Sequence, residues 1–237
     1  MGWPNNYVQG IYNALGGLIG VYDGIGGSIG VLDDYTWATK PLASAGIGRI
    51  RVTDIGGGTI WVSNGTRWYP EGGRITLYRN LNSTTPVTCA TETQLVKSNA
   101  IPAGVIQNGD SLRVYITAQK SSTVETAVQW FRLGSNGTVA DNYITAAAGA
   151  GMLSATQLSL GTIIEWKRMS ATTMQKLGAP SSLGTYSGQS TAVIAAPYTV
   201  ENLDTTQTYL QYSCDSSAST ETYSVIDYVV ELITQVA

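Results

Sequence analysis

The stretch Asp33–Pro70, DDYTWATKPLASAGIGRIRVTDIGGGTIWVSNGTRWYP, reads as a small β-unit. Tyr35-Thr36-Trp37 precedes a break at Lys40-Pro41, and Arg49–Asp54 alternates like a strand that ends at Gly56-Gly57-Gly58. Ile60–Ser63 then runs into Asn64-Gly65, and Thr66–Pro70 returns. Asn and Gly both tolerate φ > 0, so Asn64-Gly65 predicts a two-residue type I′ hairpin. Trp61 and Trp68 fall roughly opposite one another across that turn, on one face. A hairpin this small is marginal alone and must pack on something else. Trp37, Trp61 and Trp68 are the side chains expected to pack it.

The same residues carry a resemblance. Thr36–Pro41, Gly48–Asp54 and Trp61–Pro70 resemble the TWATKP … GRIRVTD … WxSNGTRWxP segment of virion surface proteins of tailed bacteriophages, which are labelled tail-fibre or capsid-associated. The closing Tyr228–Ile233 resembles the last strand of the β-domain that follows this segment in such proteins. The two matches frame residues 33–237, and the sequence between them matches in character only. The resemblance implies a threefold appendage, hence a homotrimer, made in the bacterial host cytoplasm and carried on the virion surface.

Outward from that stretch, composition bounds the rest. A chain of 237 residues can bury a sizeable core in one or two domains. Charged residues make up only 12%, about half the usual share, while there are 27 Gly and 14 Tyr. Such a surface fits an extracellular-type β-protein or one covered by neighbours, and argues against disorder. The net charge of −3 leaves no electrostatic footprint for nucleic acid. The sequence has no His, which removes Ser-His and Cys-His nucleophilic sites and any His-ligated zinc. Cys89 and Cys214 lie far apart and outside any CxxC pair; they allow one disulfide, but two free buried thiols are the expectation.

Residues 1–32, MGWPNNYVQGIYNALGGLIGVYDGIGGSIGVL, are apolar, laced with glycine and free of Lys and Arg. The basic region and cleavage site of a signal peptide are not evident. The uncharged run stops at Asp23, too short for a spanning helix, so no membrane partner is expected. Gly24–Gly30 is not a GxGxxG loop and has no strand-loop-helix context. A flexible leader is one reading. The other, preferred here, is an anchoring arm that binds a partner surface or threads a symmetry axis. Trp3, Tyr7, Ile11, Tyr12, Leu15, Leu18, Ile19, Val21, Ile25, Ile29 and Val31 would contact that partner, because leaving them in water costs free energy.

After Gly72-Gly73 the pattern is one of short strands between turn signals. Arg74–Arg79, Thr93–Lys97, Leu112–Thr117, Thr126–Leu133, Gln157–Leu160, Thr162–Lys167, Ala192–Ala196, Thr208–Cys214 and Tyr223–Ile233 are the strand candidates. Leu112, Val114 and Ile116 face inward, and in the last strand Ile226, Tyr228, Val230 and Leu232 share a face. Asn136-Gly137 predicts another hairpin and Ala146–Gly151 a small-residue linker. Met169–Leu177 is the one short helix expected, with Ser170 as N-cap and Gly178 past its end. The sum is an all-β chain: an arm over 1–32, a β-unit over 33–72 and a jelly-roll-like sandwich over 73–237, the whole trimeric.

Catalytic readings are thin. Asp33, Asp34, Asp204, Asp215 and Asp227 are available as carboxylates, but no motif places two of them as a glycosidase pair. Gly184–Gly188 has the wrong spacing for a nucleophile elbow. Asp54 or Asp110 with carbonyls is an unsupported calcium reading, so no metal and no cofactor are expected. Tyr186, Tyr198 and Tyr209 could stack on sugars or sit on sheet faces, while Trp130 and Trp166 read as core or interface. The sequons at Asn64, Asn82 and Asn136 read as turns. The expectation is therefore a non-enzymatic virion protein, a capsid decoration (cement) protein that binds the major capsid protein. The alternative is a short tail fibre that binds tail proteins through residues 1–32 and recognises host glycan.

Overall fold

The computed structural model describes residues 9–12, 18–22, 32–43, 48–122, 126–145, 152–153, 158–177, 197–216 and 220–234. The protein is all-β, with no α-helix among the described residues. It divides into two compact units, Met1–Trp68 and Tyr69–Ala237.

In the first unit, β1 (Gln9–Tyr12) and β2 (Leu18–Tyr22) pair antiparallel as a sheet of their own, Gln9 opposite Tyr22. A four-stranded sheet follows in the order β3 (Asp34–Tyr35), β4 (Arg49–Val52), β5 (Thr59–Ser63), β6 (Trp68–Pro70). β3 is parallel to β4, and β4 antiparallel to β5. The alternation read from sequence holds in β4: Ile50 and Val52 are buried, Arg49 and Arg51 exposed. Gly57 and Gly58 turn the chain from β4 to β5 at φ 78° and 94°, with no atom within 4 Å of a would-be Cβ. Backbone conformation, not crowding, calls for glycine there.

The β5–β6 turn differs from the two-residue turn expected. Four residues, Asn64–Arg67, connect the strands. The Asn64 carboxamide oxygen accepts from the backbone N–H of Thr66 (3.1 Å) and Arg67 (3.0 Å), so the Asn side chain shapes the turn and widens it.

The second unit holds the remaining strands: β7 (Arg74–Asn80), β8 (Val87–Thr88), β9 (Thr93–Lys97), β10 (Ser111–Lys120), β11 (Ala127–Gly134) and β12 (Asn142–Tyr143), then β13 (Met152–Leu153), β14 (Ser159–Ser170), β15 (Thr173–Lys176), β16 (Tyr198–Thr199), β17 (Tyr209–Ser216) and β18 (Thr222–Ile233). One sheet has seven strands in the order β16-β15-β14-β10-β18-β7, with β8 also on β18. The other has five in the order β12-β11-β17-β9, with β13 also on β11. All their pairings are antiparallel, and the two sheets form a sandwich. Leu112, Val114, Ile116, Trp166, Val230 and Leu232 of the larger sheet and Phe131, Leu133, Leu210 and Tyr212 of the smaller are all buried. The Phe131 ring lies 5.2 Å from Trp166 and 5.1 Å from Tyr212, and the Tyr228 hydroxyl donates to the Leu210 carbonyl at 3.2 Å. Aromatic rings and one buried hydroxyl thus join the layers.

Three further expectations are corrected. Met169–Leu177 is not a helix but the β14–β15 hairpin. Ser170 does cap a turn: its hydroxyl accepts from the Thr172 N–H at 3.3 Å and lies 2.7 Å from the Thr173 hydroxyl. Pairing β14 through to Ser170, with β-branched Thr172 and Thr173 at the turn, overrides the helical signal. The two strand candidates 157–160 and 162–167 are one strand from Ser159, with Gly161 passing opposite Thr117 without a break. Ile226 does not share the face of Tyr228. A bulge between Thr117 and Ala118 of the partner strand skips it, so Val225 and Tyr223 take the buried positions. The Asn136-Gly137 hairpin links β11 to β12 through a longer turn, where Gly137 has φ 62° and a Cβ would meet the Tyr209 ring at 3.0 Å. The expectations for Ala146–Gly151 and Ala192–Ala196 lie outside the described residues.

Candidate functional site

Trp37, Lys40, Pro41, Asp54, Trp61 and Trp68 interlock inside the first unit. Trp37, Trp61 and Trp68 are buried. Trp37 and Trp61 pack ring to ring at 4.8 Å, and the Trp61 indole N–H donates to Thr59 at 2.9 Å. The Trp68 indole N–H donates to the Pro41 carbonyl at 2.8 Å, and Asp54 accepts from the Trp37 backbone N–H at 2.8 Å. The Lys40 ammonium sits 3.9 Å from the Trp37 ring centroid and donates to the Trp37 carbonyl at 3.2 Å. Burial lowers the Lys40 pKa, against the opposing pull of Asp54. Every one of these groups faces another group of the same unit, which makes the motif a packing signature rather than a ligand cradle. Of the arm residues, Ile11, Tyr12, Leu18, Ile19 and Val21 fall in the β1–β2 hairpin. Trp3, Tyr7, Leu15, Ile25, Ile29 and Val31 lie outside the described residues.

A dense polar cluster of the sandwich joins β11, β12 and β17 around Glu92. Its carboxylate accepts from the Arg132 guanidinium at 2.7 and 2.5 Å, from the Ser213 hydroxyl at 2.6 Å and from the Tyr143 hydroxyl at 3.4 Å. Arg132 also stacks 3.5 Å from the Tyr143 ring centroid and donates to the Asp141 carbonyl. Burial works to raise the Glu92 pKa, but the hydrogen bonds from Arg132 and Ser213 outweigh it and hold the carboxyl below its ordinary value. A carboxylate so saturated with donors is a poor general base. It braces three strands instead.

A second arrangement crosses the larger sheet. Register aligns Glu165, Arg113 and Glu231 in one row over β14, β10 and β18. Arg113 bonds Glu165 at 2.8 Å, and Arg74 of β7 bonds Glu231 at 2.5 Å. The adjacent row, Ile163, Tyr115 and Val229, is half-buried. Charges therefore alternate in sign across the strands and leave an apolar strip beside them.

Of the carboxylates weighed for catalysis, two are held by arginines. Asp34 pairs with Arg51 at 2.5 Å and Asp204 with Arg168 at 2.8 Å. Asp110 caps the Gln107 N–H at 2.8 Å, as Asp54 caps Trp37, so both calcium candidates have structural work. Among the described residues no three His, Cys, Asp or Glu side chains gather as a metal site, and no helix is long and apolar enough to cross a membrane. Tyr209 lies under Lys97 and against the Gly137 turn; Tyr198 is half-buried, which raises its pKa; Tyr186 lies outside the described residues. Trp130 and Trp166 are buried.

Two features escaped the sequence reading. Lys120 and Glu221 form an ion pair with side chains 0% and 1% exposed. Cys89 and Cys214 are free, buried thiols as expected; what escaped is that their sulfurs meet at 2.6 Å across 125 residues of sequence. The first was detectable, since the inward parity of Leu112, Val114 and Ile116 continues through Ala118 to Lys120. The second was not, because strand pairing between distant segments leaves no local trace. No protein-family model matches the chain, and no curated protein matches it.

Proposed function

We propose that this chain is a non-enzymatic structural protein of a tailed-phage virion, acting as a trimeric decoration protein on the outer capsid. One observation carries the non-enzymatic part: the acids in the described clusters are committed to arginine and lysine partners or to turn capping, as at Glu92, Glu165, Glu231, Asp204 and Asp110. The phage part rests on the resemblance of Thr36–Pro41, Gly48–Asp54 and Trp61–Pro70. The capsid part rests on the apolar residues of 1–32, which call for a broad partner surface to cover them. Area buried only in the assembled shell would stabilise the shell by linkage. The apolar residues of 1–32 would supply much of that area. The tail-fibre alternative shares the resemblance and differs in where the arm docks.

The test is co-sedimentation of the purified chain with capsids that lack it, and separately with isolated tails. The full chain is expected to pellet with capsids. A chain without residues 1–32 is expected to remain a folded trimer in solution and to lose that attachment. Retained attachment of the shortened chain removes the anchoring role, and binding to tails alone moves the assignment to the fibre.

A further inference from the structure

We infer that Cys89 and Cys214 are a built cross-linking site, which closes to an intramolecular disulfide when the protein meets a low-molecular-weight disulfide oxidant. The inference does not depend on the virion assignment. Its ground is placement. Cys214 lies on β17, opposite Gln129 of β11 on one side and Thr93 of β9 on the other. Cys89 lies in the connection between β8 and β9, and its carbonyl accepts the Ser216 N–H at 2.7 Å. That bond holds the connection alongside the end of β17, so the backbone, not chance side-chain rotation, brings the two sulfurs together. Both thiols are buried, with 0% and 1% exposure. Two facing, enclosed thiols have no competing partner of their own kind: the sequence contains only two cysteines.

The step balances as two thiol–disulfide exchanges. One cysteine thiolate attacks the small disulfide, forms a mixed disulfide and releases one small thiolate. The second cysteine thiolate attacks the protein sulfur of that mixed disulfide and expels the second small thiolate. Two protein thiols are oxidised, giving up two electrons and two protons, and the small disulfide is reduced to two thiols. Access comes through the Cys89 side. Ala90 and Thr91 are exposed, and β8 is a two-residue strand paired with β18 at Thr222 and Tyr223, so local opening of this short connection gives the oxidant its path. The contact with Cys89, burial, and the nearby Asp215 and Glu92 carboxylates all raise the Cys214 pKa.

The experiment incubates the full chain, folded, with oxidised glutathione. Unreacted thiols are then alkylated in denaturant, and the chain is digested with trypsin and analysed by mass spectrometry. The expected product is one cross-linked species that joins the tryptic peptides 80–97 and 177–237, lighter by two hydrogens than their sum. The treated protein is also expected to melt roughly 5–15 °C higher than the same sample after reduction. A Cys89→Ser variant that folds should show neither the cross-link nor the dependence on reductant. Complete alkylation of both cysteines overturns the inference. So does a glutathione adduct without the internal link, or a bond between two chains. The peptide measurement, made on the monomer isolated under non-reducing denaturing conditions, decides the matter even if the variant does not fold.

Discussion

Removing the charge of Lys120 should be among the most damaging single changes in the sandwich. Its side chain is 0% exposed, and its ammonium lies 3.5 Å from the Glu221 carboxylate, itself 1% exposed. Lys120→Met leaves that carboxylate buried and uncompensated, at a cost of about 3–5 kcal/mol. In a chain of this size each kcal/mol moves the melting midpoint by about 2–4 °C, so a fall of roughly 6–20 °C is expected. Glu221 also accepts from the hydroxyls of Ser122 and Tyr223, the latter at 3.1 Å. The informative partner is therefore Glu221→Gln, which removes the charge, keeps one oxygen to accept from one hydroxyl and turns an amide N–H toward the oxygen of the other. The double variant Lys120→Met with Glu221→Gln should recover most of the loss and sit within about 1–2 kcal/mol of the parent, because no orphaned charge remains. Urea titrations followed by circular dichroism, with unchanged denaturant slope, supply the free energies. A cost below about 1 kcal/mol for Lys120→Met, or a double variant as unstable as the sum of the singles, would refute the reasoning.

Other outcomes follow from the same geometry. Phe131→Ala empties the space between Trp166 and Tyr212 and should cost about 3–5 kcal/mol, with loss of near-ultraviolet circular dichroism; a cost under about 1 kcal/mol means those rings do not form the core. Glu92 has a lowered folded pKa, so its stabilisation is present above the ordinary carboxylate pKa and disappears as pH falls through the folded value. Glu92→Gln should accordingly flatten the acid limb of the stability–pH curve, and an unchanged limb would show that the clamp contributes nothing. Gly57→Ala, at φ 78° with open space around it, should destabilise by roughly 1–2 kcal/mol through backbone strain alone; a neutral result would contradict the left-handed turn.

The sequence showed most where one residue type dictates one local conformation. The alternation in β4 and β10 and the glycine run after Asp54 were all readable, because period-two burial and positive φ are local properties. Reading failed where a partner strand decides. Ser170 looks like a helix cap because hydroxyl-to-backbone bonds serve helix starts and tight turns alike, and only the pairing of β14 with β15 separates the two. Ile226 leaves the face that its sequence parity predicts because a bulge is a property of two strands in register, not of one. The tryptophans of the first unit were recognisable as a packing set, but the pairing of Trp37 with Trp61 and the docking of Trp68 on Pro41 depend on the return of the chain after Lys40. The cysteine contact and the Glu92 clamp join residues 125 and 40 positions apart, beyond any window of local pattern.

The most direct measurement on the decoration role is the number of copies of this chain per copy of the major capsid protein in purified virions, by quantitative mass spectrometry. On the order of hundreds of copies per particle are expected, because only an icosahedral shell offers that many equivalent positions. Roughly three to three dozen copies would contradict capsid decoration and place the chain at the tail or a single vertex. Its absence from purified virions would contradict the virion assignment itself.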